Sequence, residues 1–144
     1  YAFWRRAVAP TFLFDSAQRR VCEVGATRTN TPLQALTLLN DQTYLEASRA
    51  LATQALQTAS DPAARLRLIF RQVLSREPAA RELAVLEREL ARALAHYRAH
   101  PTDADTFLRI GQHPPDTTLP RPELAAYTLA ASLTLNLDEA LTHE

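Results

Sequence analysis

The chain has 144 residues, of which 47% are apolar, so it can form one domain with a sizeable core. Its sixteen basic residues are all arginine and are balanced by sixteen acids, which excludes mechanisms that need a Schiff-base or phosphate-loop lysine. Two glycines, Gly25 and Gly111, cannot form a dinucleotide-binding fingerprint, and the single Cys22 excludes an internal disulfide framework and a covalent haem attachment motif.

Residues 1–30 show no sustained helical periodicity. Pro10, Asp15 and Gly25 are turn signals, and they favour an extended segment with several turns. Further along the chain, apolar residues recur at helical spacing. The sequence therefore predicts one domain in two parts, an extended docking segment over residues 1–30 and a helical bundle over residues 31–144.

The charge of the N-terminal segment differs from that of the rest. Residues 1–30 hold five arginines against Asp15 and Glu23, a net charge of +3, and the remainder of the chain carries −3. This asymmetry favours an acidic surface or a sulfated glycan as a partner, but nucleic-acid-binding domains carry a much stronger basic field, so no nucleic-acid partner is predicted. The bulky residues 1–4, in a chain without an initiator methionine, lead us to expect a fragment of a longer protein.

A helix is predicted to start at Pro32. Proline is favoured in a first turn, and Gln34 stands three residues after Thr31, as in a capping box. Asn40 and Asp41 are expected to end this helix and to cap the next one. The apolar stripe of the helix is Leu33, Leu36 and Leu39.

Two further helices have clear apolar stripes. Residues 42–58 are predicted to form a helix whose small residues permit close packing, and Asp61 is expected to cap a helix over residues 62–75. The first helix is expected to bury Tyr44, Ala47, Ser48, Leu51 and Ala55. The second has the helical spacing of Leu66, Ile69, Phe70, Val73 and Leu74.

The second half of the chain continues the helical pattern. A fourth helix follows the turn at residues 76–78 and ends before Pro101, and a short helix is expected over residues 103–110, followed by a proline-rich loop. The stripe of the fourth helix is Leu83, Leu86, Leu90, Leu94 and Tyr97.

The last predicted helix covers residues 122–136 and is apolar nearly all round, which predicts a central position. The apolar stretch at residues 124–137 is too short and too polar to span a membrane. Since no strand competes with these helices, the predicted fold is all-α, an irregular bundle of about five or six helices with an extended N-terminal segment.

His96 and His100 stand four residues apart near the end of the fourth helix, a spacing that can chelate a metal ion. Zinc takes three or four protein ligands, and no third ligand is evident from the sequence. Both histidines fall on the solvent edge of the apolar stripe. No metal site is therefore predicted.

Three stretches of the sequence resemble a known family. They are residues 14–17 (FDSA), residues 28–41 (RTNTPLQALTLLND) and residues 136–139 (NLDE). They resemble the C-terminal part of the planctomycete cytochrome c-associated family called domain of unknown function 1553. The resemblance implies a large secreted or periplasmic protein, with haem c in an upstream domain rather than in this chain, from bacteria rich in polysaccharide-processing genes. It implies no known activity.

Polar residues cluster around the recognised stretches. Carboxylates beside arginines can supply acid, base and anion-binding groups, but the same residues can also form a structural network between an extended segment and helix starts. We favour the structural interpretation, because ion-pair networks are common without catalysis. The network consists of Asp15, Arg19, Arg28, Asn30, Thr31, Asn40 and Asp41.

These observations leave two functions open, and they do not decide whether the chain belongs to an enzyme. The first is a helical structural or interaction module that docks on the upstream domains of the same polypeptide. The alternative is part of an enzyme or binding protein that acts on a polysaccharide, sulfated or not. Asp15 and Asp41 would then be the catalytic carboxylates, and arginines would bind sulfate. Those arginines are Arg19, Arg20 and Arg28.

Overall fold

The computed structural model describes residues 31–141, which form seven α-helices and no strand. This confirms the predicted all-α class. The docking segment predicted over residues 1–30 lies outside the described residues and remains a prediction. The helices are α1 (Pro32–Asn40), α2 (Gln42–Thr58), α3 (Pro62–Leu74), α4 (Ala80–Ala99), α5 (Pro101–Leu108), α6 (Arg121–Leu135) and α7 (Asp138–Leu141).

Helix α6 lies at the centre of the bundle and contacts the six other helices, as its apolar composition predicts. Most of its buried side chains are small, so its neighbours can approach closely. The hydroxyls of Thr128 and Thr134 donate to the carbonyl oxygens of Leu124 and Ala130, one turn earlier, which satisfies them inside the core. None of the described helices is both long enough and apolar enough to cross a membrane.

The predicted stripes of α3 and α4 supply most of the large core side chains. Complete burial of such a side chain contributes about 1.5–3 kcal/mol. Tyr97 of α4 also stacks on Phe107 of α5, with ring centroids 6.1 Å apart, which joins these two helices. The buried residues are Leu66, Ile69 and Phe70 of α3 and Leu86, Leu90, Ala93 and Tyr97 of α4. Val73, Leu74, Leu83 and Leu94 are half-buried.

The apolar stripe of α1 does not face the core, contrary to what amphipathic helices usually do. Leu33 and Leu36 are 57% and 58% exposed. Helix α1 contacts α2 and α6, and the residues that it buries are Gln34 and Leu38. Gln34 can be buried at low cost because its side chain is hydrogen-bonded at the start of its own helix.

The buried face of α2 is rotated relative to the prediction. Ala47, which the sequence predicts to be buried, is exposed, and that prediction is wrong. Ser48 and Ala55 are buried as predicted. The buried face includes Arg49, although arginine is usually exposed, and the helix is therefore turned so that this side of it faces the core.

Pro101 ends one helix and starts another. Helix α4 stops at Ala99, as predicted, but α5 begins at Pro101, two residues earlier than expected, because proline is well suited to the first position of a helix. His100 alone separates the two helices. Residues 109–120 then form the expected proline-rich loop.

Candidate functional site

Residues 28–41, the longest of the three stretches that resemble the family, are called the recognised string below. The start of helix α1 lies in the first part of this string. The Thr31 side-chain oxygen accepts a hydrogen bond from the Gln34 backbone N–H at 3.3 Å, and the Thr31 backbone N–H donates to Gln34 Oε1 at 2.6 Å. This reciprocal pair is the predicted capping box. Both polar residues therefore stabilise the N-terminus of α1.

The end of the string joins α1 to α2. Asp41 Oδ1 accepts a hydrogen bond from the Thr43 backbone N–H at 2.9 Å, which confirms Asp41 as the cap of α2. Asn40 donates from Nδ2 to the Leu36 carbonyl oxygen at 2.8 Å, within its own helix. Thr31, Asn40 and Asp41 thus have structural roles.

The other four residues of the predicted network are not among those that the structure describes. They are Asp15, Arg19, Arg28 and Asn30. The proposed pair of catalytic carboxylates, Asp15 with Asp41, therefore stays a prediction, as does a sulfate site formed by the N-terminal arginines.

Between the helix start and Asp41, α1 presents an apolar surface to solvent. This surface consists of Leu33 and Leu36, one turn apart, and we call it the α1 surface. Both leucines belong to the recognised string. Sequence reasoning identified them as an apolar stripe, but not as an exposed one.

A buried arginine anchors the loop between α5 and α6. Arg49, only 6% exposed, donates to the carbonyl oxygens of Leu108, Ile110 and His113, which lie 59 to 64 residues further along the chain. Glu46 Oε1 is 3.6 Å from the same guanidinium. Three carbonyls and a nearby carboxylate compensate the burial of this charge.

Glu46 holds the same loop from the other side. The His113 backbone N–H donates to Glu46 Oε1 at 2.7 Å, and this bond is the main reason why the pKa of Glu46 is lowered. Gly111 lies directly beneath this side chain, with φ at +115°, and a Cβ there would come within 2.3 Å of Glu46 Cγ. Glycine is therefore required at position 111.

A cleft of about 670 Å³ lies between α2 and this loop. Gln57 and Asp116 form a hydrogen bond across it at 3.0 Å. The pKa of Asp116 is lowered, mainly by the hydroxyl of Thr118, and the pKa of Glu46 is also lowered. Both carboxyl groups are therefore ionised at neutral pH, and neither suits the role of a general acid.

An apolar groove of about 340 Å³ lies on another face, among α3, α4 and the end of α6. Val85 and Leu137 are partly exposed in it, and Glu82 and Glu89 stand at its rim. The remaining lining residues are Phe70, Leu86 and Leu133.

Arg76 binds two carboxylates, Glu82 and Glu139, next to this groove. Its guanidinium binds both oxygens of Glu82 at 2.7 and 2.8 Å and both oxygens of Glu139 at 2.6 and 2.7 Å. It also lies over the ring of Phe70, 4.9 Å from the centroid. The hydrogen bonds from Arg76 to Glu82, with a further one from the Ala79 backbone N–H, lower the pKa of Glu82 to about 2. Arg76 thus ties the turn after α3 to both α4 and α7.

The α4–α5 corner holds the two histidines that the sequence singles out. His96 Nε2 lies 3.0 Å from Asp103 Oδ2, and the rings of His96 and His100 stack with their centroids 4.7 Å apart. Asp103 is the third metal-ligating side chain that the sequence did not reveal. It is brought close because α5 starts immediately after His100.

This arrangement defines a helical module with capped elements, an apolar surface on α1 and no acid–base pair among the described carboxylates of the cleft. Residues 1–90 match a protein family described as PSD1, Protein of unknown function (DUF1553). The chain belongs to this family. No curated protein and no solved structure matches the chain. The matched region contains the recognised string and ends inside α4, before the α4–α5 corner.

Proposed function

We propose that this chain is the helical interaction module of a larger exported protein of the cytochrome-associated type, and that it docks on the upstream domains of the same polypeptide. The observation that carries the proposal is the α1 surface. Leu33 and Leu36 are more than half exposed on a helix whose start and end are both capped.

The energetics favour a partner at this position. Burying a leucine side chain contributes about 1.5–3 kcal/mol, and α1 is already ordered by its caps, so docking would not have to order the helix as well. The α1 surface also follows directly on residues 1–30, which the sequence predicts to be a docking segment with a net charge of +3. One continuous interface can therefore combine this segment with α1.

A buried polar atom supports the same proposal. The side-chain oxygen of Asn136 is buried, and among the described residues it has no hydrogen-bond partner. Such an acceptor is costly when it is left unsatisfied. Asn136 begins the third stretch that resembles the family, and a donor from outside residues 31–141 would satisfy it.

The polysaccharide alternative depends on residues outside the described part. Glycoside hydrolysis needs one carboxyl group with a raised pKa to act as the acid. The two carboxyl groups of the cleft, Glu46 and Asp116, have lowered pKa values. The cleft therefore gives this alternative no support, and it rests on Asp15 and Asp41 and on the N-terminal arginines.

The proposal is tested in the full-length protein with the double substitution Leu33→Glu and Leu36→Glu. We expect limited trypsin digestion to release the C-terminal fragment faster than in the wild type, because two charges cannot be buried in an apolar interface. The matched control is Ala91→Glu with Ala95→Glu, two exposed positions one turn apart on α4. Equal release rates for both double variants and the wild type would refute docking through α1.

A further inference from the structure

The geometry points to a divalent metal site of the zinc class at the α4–α5 corner, formed by His96, His100 and Asp103. One ligand atom from each of these side chains lies within 4.8 Å of the other two. Two imidazoles with one carboxylate form a ligand set that zinc accepts, and they leave a fourth position for water. The site lies beyond the residues that match the family.

The distance between His96 and Asp103 fits a metal complex. Zinc binds nitrogen and oxygen at about 2.0–2.2 Å, so two ligand atoms of a tetrahedral site lie about 3.3 Å apart. His96 Nε2 and Asp103 Oδ2 are 3.0 Å apart. An ion can replace the proton between these atoms with only small movements of the side chains.

The hydrogen bond of His100 leaves its other ring nitrogen for the ion, towards which the ring has to rotate from its stacked position on His96. His100 Nδ1 lies 3.1 Å from the His96 carbonyl oxygen. Because a carbonyl oxygen only accepts, Nδ1 carries the hydrogen, and the lone pair of the neutral ring is on Nε2. Metal-binding histidines commonly have this second hydrogen bond, which fixes both the tautomer and the direction of the ring.

The backbone beneath these side chains is well fixed. Tyr97 stacks on Phe107, and Ala104 and Leu108 of α5 are fully buried. The spacing between the last turn of α4 and the first turn of α5 is therefore set by the core, whereas the three ligand side chains are exposed and can adjust. A bound ion would clamp the two helices across Pro101.

The charges around the corner permit a cation. Arg98 is on the opposite side of α4, where its guanidinium lies 3.9 Å from Glu123. Arg92 stands one turn before His96 on the same side of the helix, but it is paired with Glu89 at 3.2 Å. Both neighbouring arginines thus have carboxylate partners.

The test is calorimetric titration of the untagged chain with Zn²⁺, with Cys22→Ser in every sample so that the thiol cannot bind the metal. We expect one zinc ion per chain. His100→Gln and Asp103→Asn should each weaken binding at least about tenfold, since loss of even an outer hydrogen-bond partner has effects of that size. The matched control His113→Gln removes an exposed histidine elsewhere and should change affinity by less than about twofold.

A second measurement separates metal binding from folding. Circular dichroism checks that each variant is helical, and Co²⁺ in place of Zn²⁺ should give the visible absorption of a nitrogen- and oxygen-bound ion in the wild type but not in Asp103→Asn. Absence of saturable zinc binding would overturn the proposal and leave an exposed His96–Asp103 hydrogen bond. Zinc binding that neither ligand substitution weakens would also overturn it.

Discussion

Helices α1 and α6 are both rich in apolar residues, but the protein uses them in opposite ways. Helix α6 is surrounded by six other helices and buries side chains all round, whereas α1 packs mainly against α2 and α6 among the described helices and leaves Leu33 and Leu36 in solvent. Apolar content therefore does not decide burial. The number of neighbours that the fold provides decides it, and an apolar face without a neighbour is available to a partner.

The largest change in the free energy of unfolding is expected for a substitution in α6. Leu124 is completely buried, and Leu124→Ala should lower the free energy of unfolding by about 2–5 kcal/mol through lost burial and an unfilled cavity. Urea denaturation of the chain measures this effect. A loss below about 1 kcal/mol would mean that α6 is not the tightly packed centre of the bundle.

The next largest change in stability is expected for Arg49, the buried arginine that binds the loop between α5 and α6. Arg49→Met should lower the free energy of unfolding by about 1–3 kcal/mol, because three carbonyl oxygens lose a charged donor while the volume is kept. The control is Arg71→Met, since Arg71 is an exposed arginine that pairs only with Glu77 in the described part. Equal melting temperatures for the two variants would contradict the role of Arg49.

The caps of α1 test whether the helix that carries the exposed leucines depends on the recognised string. Thr31→Ala should cost about 0.5–2 kcal/mol, because the Gln34 backbone N–H loses its side-chain acceptor. Asp41→Ala should have a similar effect at the start of α2. Thr117→Ala, in an exposed loop, is the control in thermal melts. If neither Thr31→Ala nor Asp41→Ala changes the melting temperature, the string is better interpreted as a binding or catalytic surface.

A smaller effect depends on pH. The pKa of Glu82 in the folded protein is about 2, below its ordinary value of 4.5, so its pairing with Arg76 stabilises the protein above pH 4.5 and is lost as the pH falls towards 2. Because the pair is partly exposed, we expect Glu82→Gln to cost less than about 1 kcal/mol at pH 7. Urea titrations at pH 7 and pH 2.5 should show this cost become smaller at the lower pH, where the Glu82 carboxylate begins to take up a proton. Glu87→Gln, at an exposed position of the same helix, should behave like the wild type at both values.

The smallest effect is predicted for the leucines of the α1 surface in the isolated chain. Leu33→Ala and Leu36→Ala should each change the free energy of unfolding by less than about 0.5 kcal/mol, because these side chains are exposed. With Leu124→Ala, this makes a matched pair of identical substitutions at opposite burial. A cost above about 1 kcal/mol would show that the isolated chain already covers the leucines, so that they are not free for an upstream domain.

Much of the fold was predictable because helix limits depend on neighbouring residues. Thr31, Asp61 and Pro101 mark helix ends through groups only a few positions away, and the structure confirms each of them. The candidate sites were less predictable. Arg49 finds its partners about sixty residues away, and no local pattern identifies a buried arginine.

The sequence identified two of the three residues at the α4–α5 corner, the histidines, but not Asp103. The i, i+4 spacing of His96 and His100 predicts that they lie side by side on one helix. Asp103 stands on a different helix, and its approach depends on the angle at which α5 leaves α4. That angle is set by the contact of Tyr97 with Phe107 and by the burial of Ala104 in the core.

The sequence by itself determined the all-α class, the limits of most helices, the capping residues and the lack of a covalent haem motif in this chain. These properties follow from composition and from interactions between residues a few positions apart. Only the tertiary structure decided that Leu33 and Leu36 face solvent, that Arg49 is buried and that Asp103 joins the two histidines. Burial and the approach of distant side chains depend on which helices become neighbours, and that is a property of the packed bundle rather than of any one segment.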